Sequence, residues 1–165
     1  MKKILFILLS SILVLSACSQ KESKENHEEN EEHNHIAHLD NGDLQETTAS
    51  SDVLPAFLDE QSEDMKLIYQ ASAKAHDVLK WMPCYCGCGD SAGHMSNFNC
   101  FVDEIKENGE VVWDDHGTRC QACLETAVMS INMVQEGKSL QEIRNTIDEA
   151  YKEGYAEPTK TPMPA

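Results

Sequence analysis

Pro83-Cys84-Tyr85-Cys86-Gly87-Cys88-Gly89 sets three thiols at alternate positions between a proline and a glycine. Proline disfavours helix in the residue before it, so a helix arriving from upstream stops here. The glycines let the backbone fold round one centre. The stretch reads as an irregular loop, held by whatever flanks it. Upstream, Met65, Ile68, Ala71, Ala75, Val78, Leu79 and Met82 recur at three- and four-residue steps, which predicts a helix over about 63–82 with Ser62 as its cap. Downstream, Phe101, Val102 and Ile105 suggest a short helix over about 99–107, and Val111-Val112-Trp113 a brief extended piece. Thr118 with Gln121, and Ser139 with Glu142, match capping boxes that open two further helices. The expected fold is all-α: a small bundle of three to four helices with an irregular Cys-rich loop, stabilised by metal or disulfides.

Three more thiols follow the loop, at Cys100, Cys120 and Cys123, with His94 and His116 between them. Cys120 and Cys123 lie three apart at a helix start, where side chains share a face and free N–H groups favour thiolate. That spacing suits a metal or a redox disulfide. Cys84, Cys86 and Cys88 are less suited to bridging one another, because a disulfide between residues two apart closes a small ring. Soft thiolates select Cu(I), zinc or iron–sulfur clusters. Four of them complete one tetrahedral zinc site, and six with His94, His116 and Met95 nearby fit a small Cu(I) cluster. The candidate ligands are therefore Cys84, Cys86, Cys88, Cys100, Cys120, Cys123, His94 and His116, and the cofactor is a copper or zinc ion. Two alternatives stand beside this. Six thiols in an exported protein can form three structural disulfides, and Cys120 and Cys123 can serve thiol–disulfide exchange.

The start of the chain explains why export is expected. Lys2-Lys3, an apolar run from Ile4 to Leu15 and small residues have the layout of a secretory signal. Leu15-Ser16-Ala17-Cys18 resembles the bacterial lipobox, which implies cleavage before Cys18 and acylation of that thiol. Residues 1–17 are thus read as a lipoprotein signal peptide. The mature chain would carry 11 basic against 29 acidic side chains, a balance of −18. Phosphate contacts need Lys and Arg, so nucleic acid is not an expected partner. Residues 18–52 are poor in large apolar groups and read as a disordered acidic tether. His27, His33, His35 and His38 within it are a weak metal-capturing tract. Residues 53–156 form the Cys-rich domain, and the proline-bearing 157–165 a disordered tail.

The PCYCGC stretch, followed by Gly93-His94, Trp113-Asp114-Asp115-His116-Gly117 and Cys120-Gln121-Ala122-Cys123, resembles the bacterial PCYCGC-motif lipoproteins. The resemblance covers about 54–155. It implies an exported protein anchored to the cell membrane by lipid, and it carries no activity or ligand set. The expected function is soft-metal binding at the cell envelope, with the membrane anchor and metal ions as partners. No Ser–His–Asp set, phosphate-binding glycine loop or paired-carboxylate site supports a hydrolase or kinase.

Overall fold

A computed structural model describes residues 35–164. The signal peptide, Cys18, His27 and His33 lie outside the described residues. The expectation of an all-α bundle is overturned. Strand β1 (Ile36–His38) forms a hairpin with β2 (Leu44–Thr48), and β2 pairs with β4 (Val111–Asp114), which pairs with β3 (Val102–Ile105). The result is a four-stranded antiparallel sheet in the order β1-β2-β4-β3.

Two misreadings hid this sheet. Phe101, Val102 and Ile105 follow helical spacing, yet Val102 pairs with Trp113 and Ile105 with Val111 across the Asn108-Gly109 turn. Cross-strand pairing outweighs so short a periodic signal. Residues 36–48 were assigned to the tether because Leu44-Gln45-Glu46-Thr47-Thr48 is polar. Here the polar groups are buried with partners, as burial requires. The Glu46 carboxylate accepts from the N–H of Ala56 (2.8 Å) and Phe57 (3.3 Å), capping the 3-10 turn Ala56–Leu58. The Thr48 hydroxyl accepts from Trp113 Nε1 at 2.8 Å and faces the Val53 carbonyl at 2.8 Å.

The helices were better foreseen. Helix α1 (Glu63–Lys74) starts where Ser62 accepts from the Met65 N–H. It breaks at Ala75, and a single turn, α2 (His76–Leu79), carries the chain to Pro83. A further turn, α3 (Gly89–Ala92), lies inside the Cys loop. Helix α4 (Gln121–Gln135) ends in a Schellman motif, with Lys138 N–H bonded to Met133 and Gly137 N–H to Val134, Gly137 taking φ 78°. Helix α5 (Leu140–Ala150) opens with the expected Ser139–Glu142 capping box. The Thr118–Gln121 box does not form: Cys120 occupies the cap position, and Thr118 bonds the Asp115 carbonyl instead.

Trp113, Val111 and Val102 from the sheet meet Tyr69, Leu79, Met82, Phe101, Ile143 and Ile147 in one core. Tyr69 is its hub. Its ring stands edge-on to Phe57 and Phe101, and its hydroxyl donates to the Asp114 carbonyl at 2.9 Å. The tail expected to be disordered is instead held on the Cys loop. Thr159 N–H bonds the Cys84 carbonyl at 3.1 Å, Cys84 N–H bonds Thr159 Oγ1 at 2.9 Å, and Ala156 N–H bonds the Tyr85 carbonyl at 3.1 Å. Arg144 of α5, buried, bonds the carbonyls of Trp81, Thr161 and Pro162. Proline supplies the extended backbone that lets a tail lie along a loop in this way.

Candidate metal centre

Three elements bring the thiols together. The loop after Pro83 contributes Cys84, Cys86 and Cys88. The 3-10 turn Asn97–Cys100 contributes Cys100, Cys120 caps α4, and Cys123 lies in its first turn. Asn97 ties two of these elements, donating from Nδ2 to the Cys123 carbonyl at 3.0 Å while its own N–H bonds Met82. The glycines make the loop possible. Gly87 takes φ 82°, and a Cβ on Gly89 would lie 2.3 Å from Thr159 Cγ2.

Cys84, Cys100 and Cys123 are unbridged and buried, Cys100 with no exposed surface at all. Cys123 donates to Cys100 at 3.2 Å, Cys100 donates to Cys84 at 3.9 Å, and Cys84 stands 3.8 Å from Cys123. A tetrahedral ion with ~2.3 Å bonds to sulfur sets its ligand sulfurs ~3.8 Å apart. Two of the three separations match that spacing. Cys120, half-buried, adjoins the trio, and Cys86, His116, Cys120 and Cys123 offer ligand atoms all within 4.8 Å of one another. These cysteine and histidine groups can hold a metal ion, Cys86 only when it is not bridged.

Hydrogen bonds among the sulfurs divide the charge. Those from Cys100 and then Cys123 outweigh burial and bring the Cys84 thiol down to about 3. Cys120 is lowered to about 5, chiefly by Cys123 and, against burial, by His116. The sulfurs of Cys100, Cys120 and Cys84, in that order, and then burial push Cys123 far up. Cys100 is raised too: the bond from Cys123 opposes this, but its own bond to Cys84 and burial prevail. Negative charge is thus favoured on Cys84 and Cys120 and disfavoured on Cys100 and Cys123.

Cys86 and Cys88 do not stand as free ligands. They are joined in a disulfide, with Cα atoms 5.6 Å apart. The expectation that a spacing of two is ill suited to a bridge is corrected, because Gly87 at positive φ turns the chain sharply between them. Among the described residues this is one bridge, not the three of a fully stapled domain, and Cys120 and Cys123 remain unpaired. Cys84 Sγ lies 2.9 Å from Cys86 Sγ.

His116 reaches the sulfurs, and His94 stands against His116. His116 Nε2 is 2.8 Å from Cys88 Sγ, and its Nδ1 is 3.1 Å from Asp43 Oδ1. Cys120 and then, against burial, Asp43 raise its pKa to about 9. The His94 ring crosses the His116 ring almost perpendicularly, centroids 4.8 Å apart. Sequence reasoning missed Asp43, which composition assigned to the tether. It also missed Arg144, Asp148 and Thr159, which fix the loop. Asp148 accepts from Tyr85 Oη at 2.5 Å and from Arg144 Nε at 2.7 Å. The i,i+4 spacing of Arg144 and Asp148 was the one available sign of that support.

The chain matches, over residues 6–164, the family model described as a protein of unknown function with PCYCGC motif. It belongs to the PCYCGC-motif family. Neither the curated proteins nor the solved structures yield a match. In this PCYCGC protein the motif itself provides the loop, and all six of its domain thiols gather round it.

Proposed function

We propose that this PCYCGC protein is held at the outer face of the cell membrane by lipid on Cys18 and binds a soft transition-metal ion there, copper first and zinc second. The ion sits among Cys84, Cys100, Cys120 and Cys123. The observation that carries this reading is the convergence of three buried, unbridged thiols, two of their three separations at coordination spacing. Thiols so close and unpaired in an oxidising compartment would oxidise unless held by an ion. A cation also offsets the repulsion among thiolates that limits their charge without it. His116 stands at the edge of the set, with Nε2 on Cys88 Sγ and Nδ1 on Asp43. A cavity of about 290 Å³ lined by Cys84, His94, Met95 and Thr159 gives access, and Met95, 64 % exposed, sets a soft thioether at its mouth. The role is metal handling at the envelope. The His-rich tract upstream would raise the local ion concentration.

Competition for Cu(I) and for Zn(II) against a chromogenic chelator tests this reading. The exported protein should outcompete the chelator, and a Cys84→Ser, Cys123→Ser double variant should not. Equal retention by both proteins would place any ion elsewhere.

One observation favours a second reading. A Cys84 thiolate beside the Cys86–Cys88 disulfide can attack Cys86, forming Cys84–Cys86 and releasing Cys88 as thiolate next to His116. That is the first step of thiol–disulfide exchange. Insulin reduction by the protein in the presence of a small dithiol, lost in Cys84→Ser, would favour it over metal binding.

A further inference from the structure

Behind the sulfurs lies a set of donors of a different chemistry. Asp43, from the turn between β1 and β2, and Asp114, at the end of β4, are both buried, and they face His94 and His116 with ligand atoms all within 4.8 Å of one another. His94 Nε2 is 3.8 Å from Asp114 Oδ2, beyond hydrogen-bond reach, and its buried Nδ1 has no hydrogen-bond partner among the described residues. The ring is 5 % exposed. A buried imidazole aimed at a carboxylate without bonding it is an unexplained group.

His116 supplies the second imidazole. A sulfur in a disulfide carries no proton, so Cys88 can only accept, and the proton on His116 is then on Nε2. Its Nδ1 faces both oxygens of Asp43, at 3.1 and 3.3 Å. A bare ring nitrogen and a carboxylate repel unless a positive charge lies between them: in the metal-free protein the second ring proton supplies it, and a metal ion can take that place.

The geometry points to a second cation site, at Asp43, His94, Asp114 and His116, for a borderline divalent ion distinct in kind from the soft ion of the thiols. Two carboxylates balance the charge of a divalent ion, and two neutral imidazoles complete four donors. Imidazole and carboxylate together suit divalent zinc, cobalt, nickel or copper, where thiolates suit Cu(I). His116 would give Nδ1 to this site and keep its proton on Nε2, toward Cys88. The groups already touching these carboxylates leave room for exchange. Arg119 bonds Asp43 at 2.5 Å, but it is half exposed and also bonds Asp115, so it can leave Asp43 without losing its anion. Gln45 Nε2 reaches one oxygen of Asp114 at 3.1 Å and the His116 N–H the other at 2.9 Å. Each of those oxygens keeps a free lone pair. The site stands on its own observations, whether or not the thiols hold an ion.

The test uses the full exported chain with His27, His33, His35 and His38 changed to Ala, so that the tether captures nothing. The thiols are first filled with Ag(I) and excess removed. Co(II) is then titrated anaerobically and read by its visible ligand-field bands. One equivalent is expected to bind, with no thiolate charge-transfer band. His94→Gln and Asp43→Asn should each weaken Co(II) by ~10–100-fold, while Ag(I) uptake stays unchanged. Near-UV circular dichroism shows which variants fold. If either folds, its Co(II) affinity decides. Absence of Co(II) binding in the parent, or undiminished binding in a folded variant, overturns the second site. Ag(I) uptake by Cys100→Ser reports separately on the thiol site, so failure of one reading is not mistaken for failure of the other.

Discussion

Replacing Cys100 with Ser probes the thiol centre most cleanly, because Cys100 is fully buried and its neighbours are other sulfurs. The exchange keeps size and shape but substitutes a hard oxygen for a soft donor. Structural zinc sites bind with ~10–16 kcal/mol over four ligands, so one ligand carries ~3 kcal/mol. At ~1.4 kcal/mol per decade that is about a 10²-fold loss of affinity. Ligand binding stabilises the folded state by mass action, and a 10²-fold weaker site forfeits ~2.7 kcal/mol of that stabilisation. For a domain of this size each kcal/mol moves the midpoint by ~3–5 °C. The assay is thermal unfolding with and without excess Zn(II) under reducing conditions. The metal-induced rise in midpoint should be smaller in Cys100→Ser than in wild type by about 10 °C. The metal-free proteins should differ far less, by the ~1 kcal/mol of one altered sulfur hydrogen bond. An equal metal-induced rise in the two proteins would refute the assignment of Cys100 as a ligand.

The folded pKa of His116 is raised from 6.5 to about 9, so its stabilisation is complete below 6.5 and is lost as pH rises through about 9. In metal-free protein, the urea midpoint of wild type should therefore fall relative to that of His116→Asn across this window, and a constant gap would contradict the pairing of His116 with Cys120 and Asp43. Gly89→Ala would drive a methyl to 2.3 Å from Thr159 Cγ2. It should cost ~1–3 kcal/mol and speed amide exchange at Cys84 and Thr159 more than elsewhere; uniform protection would mean the tail is not a strap. Glu46→Gln turns an amide N–H₂ toward the Ala56 or Phe57 N–H, both now bonded to the carboxylate. Urea unfolding should show a loss of ~1–3 kcal/mol, and an unchanged midpoint would deny Glu46 its capping role.

Long periodic segments and their caps were legible in the sequence. The α1 stripe, its Ser62 cap and the Ser139–Glu142 box depend on contacts within four residues, and such local chemistry survives in any fold. The sheet was not legible, because its partners lie far apart. Glu46 pairs across to Trp113, and a strand of Gln, Glu and Thr shows no apolar alternation to read. The same distance hid half of the site. Six cysteines and two histidines announce themselves by type, but Asp43 gains meaning only when β2 sets it against His116 and Arg119. The Cys86–Cys88 bridge was misjudged for a local reason: the positive φ at Gly87 decides it, and a glycine in sequence permits that angle without requiring it.

The central claim is that the buried thiols hold an ion. It is tested most directly by purifying the exported protein from its native compartment. Metal content by mass spectrometry and the count of alkylatable thiols are then measured on the same sample. The account predicts at least one equivalent of copper or zinc, and four thiols, those of Cys84, Cys100, Cys120 and Cys123, that react only after chelation. A protein without metal, whose thiols react freely or are all bridged, would contradict it.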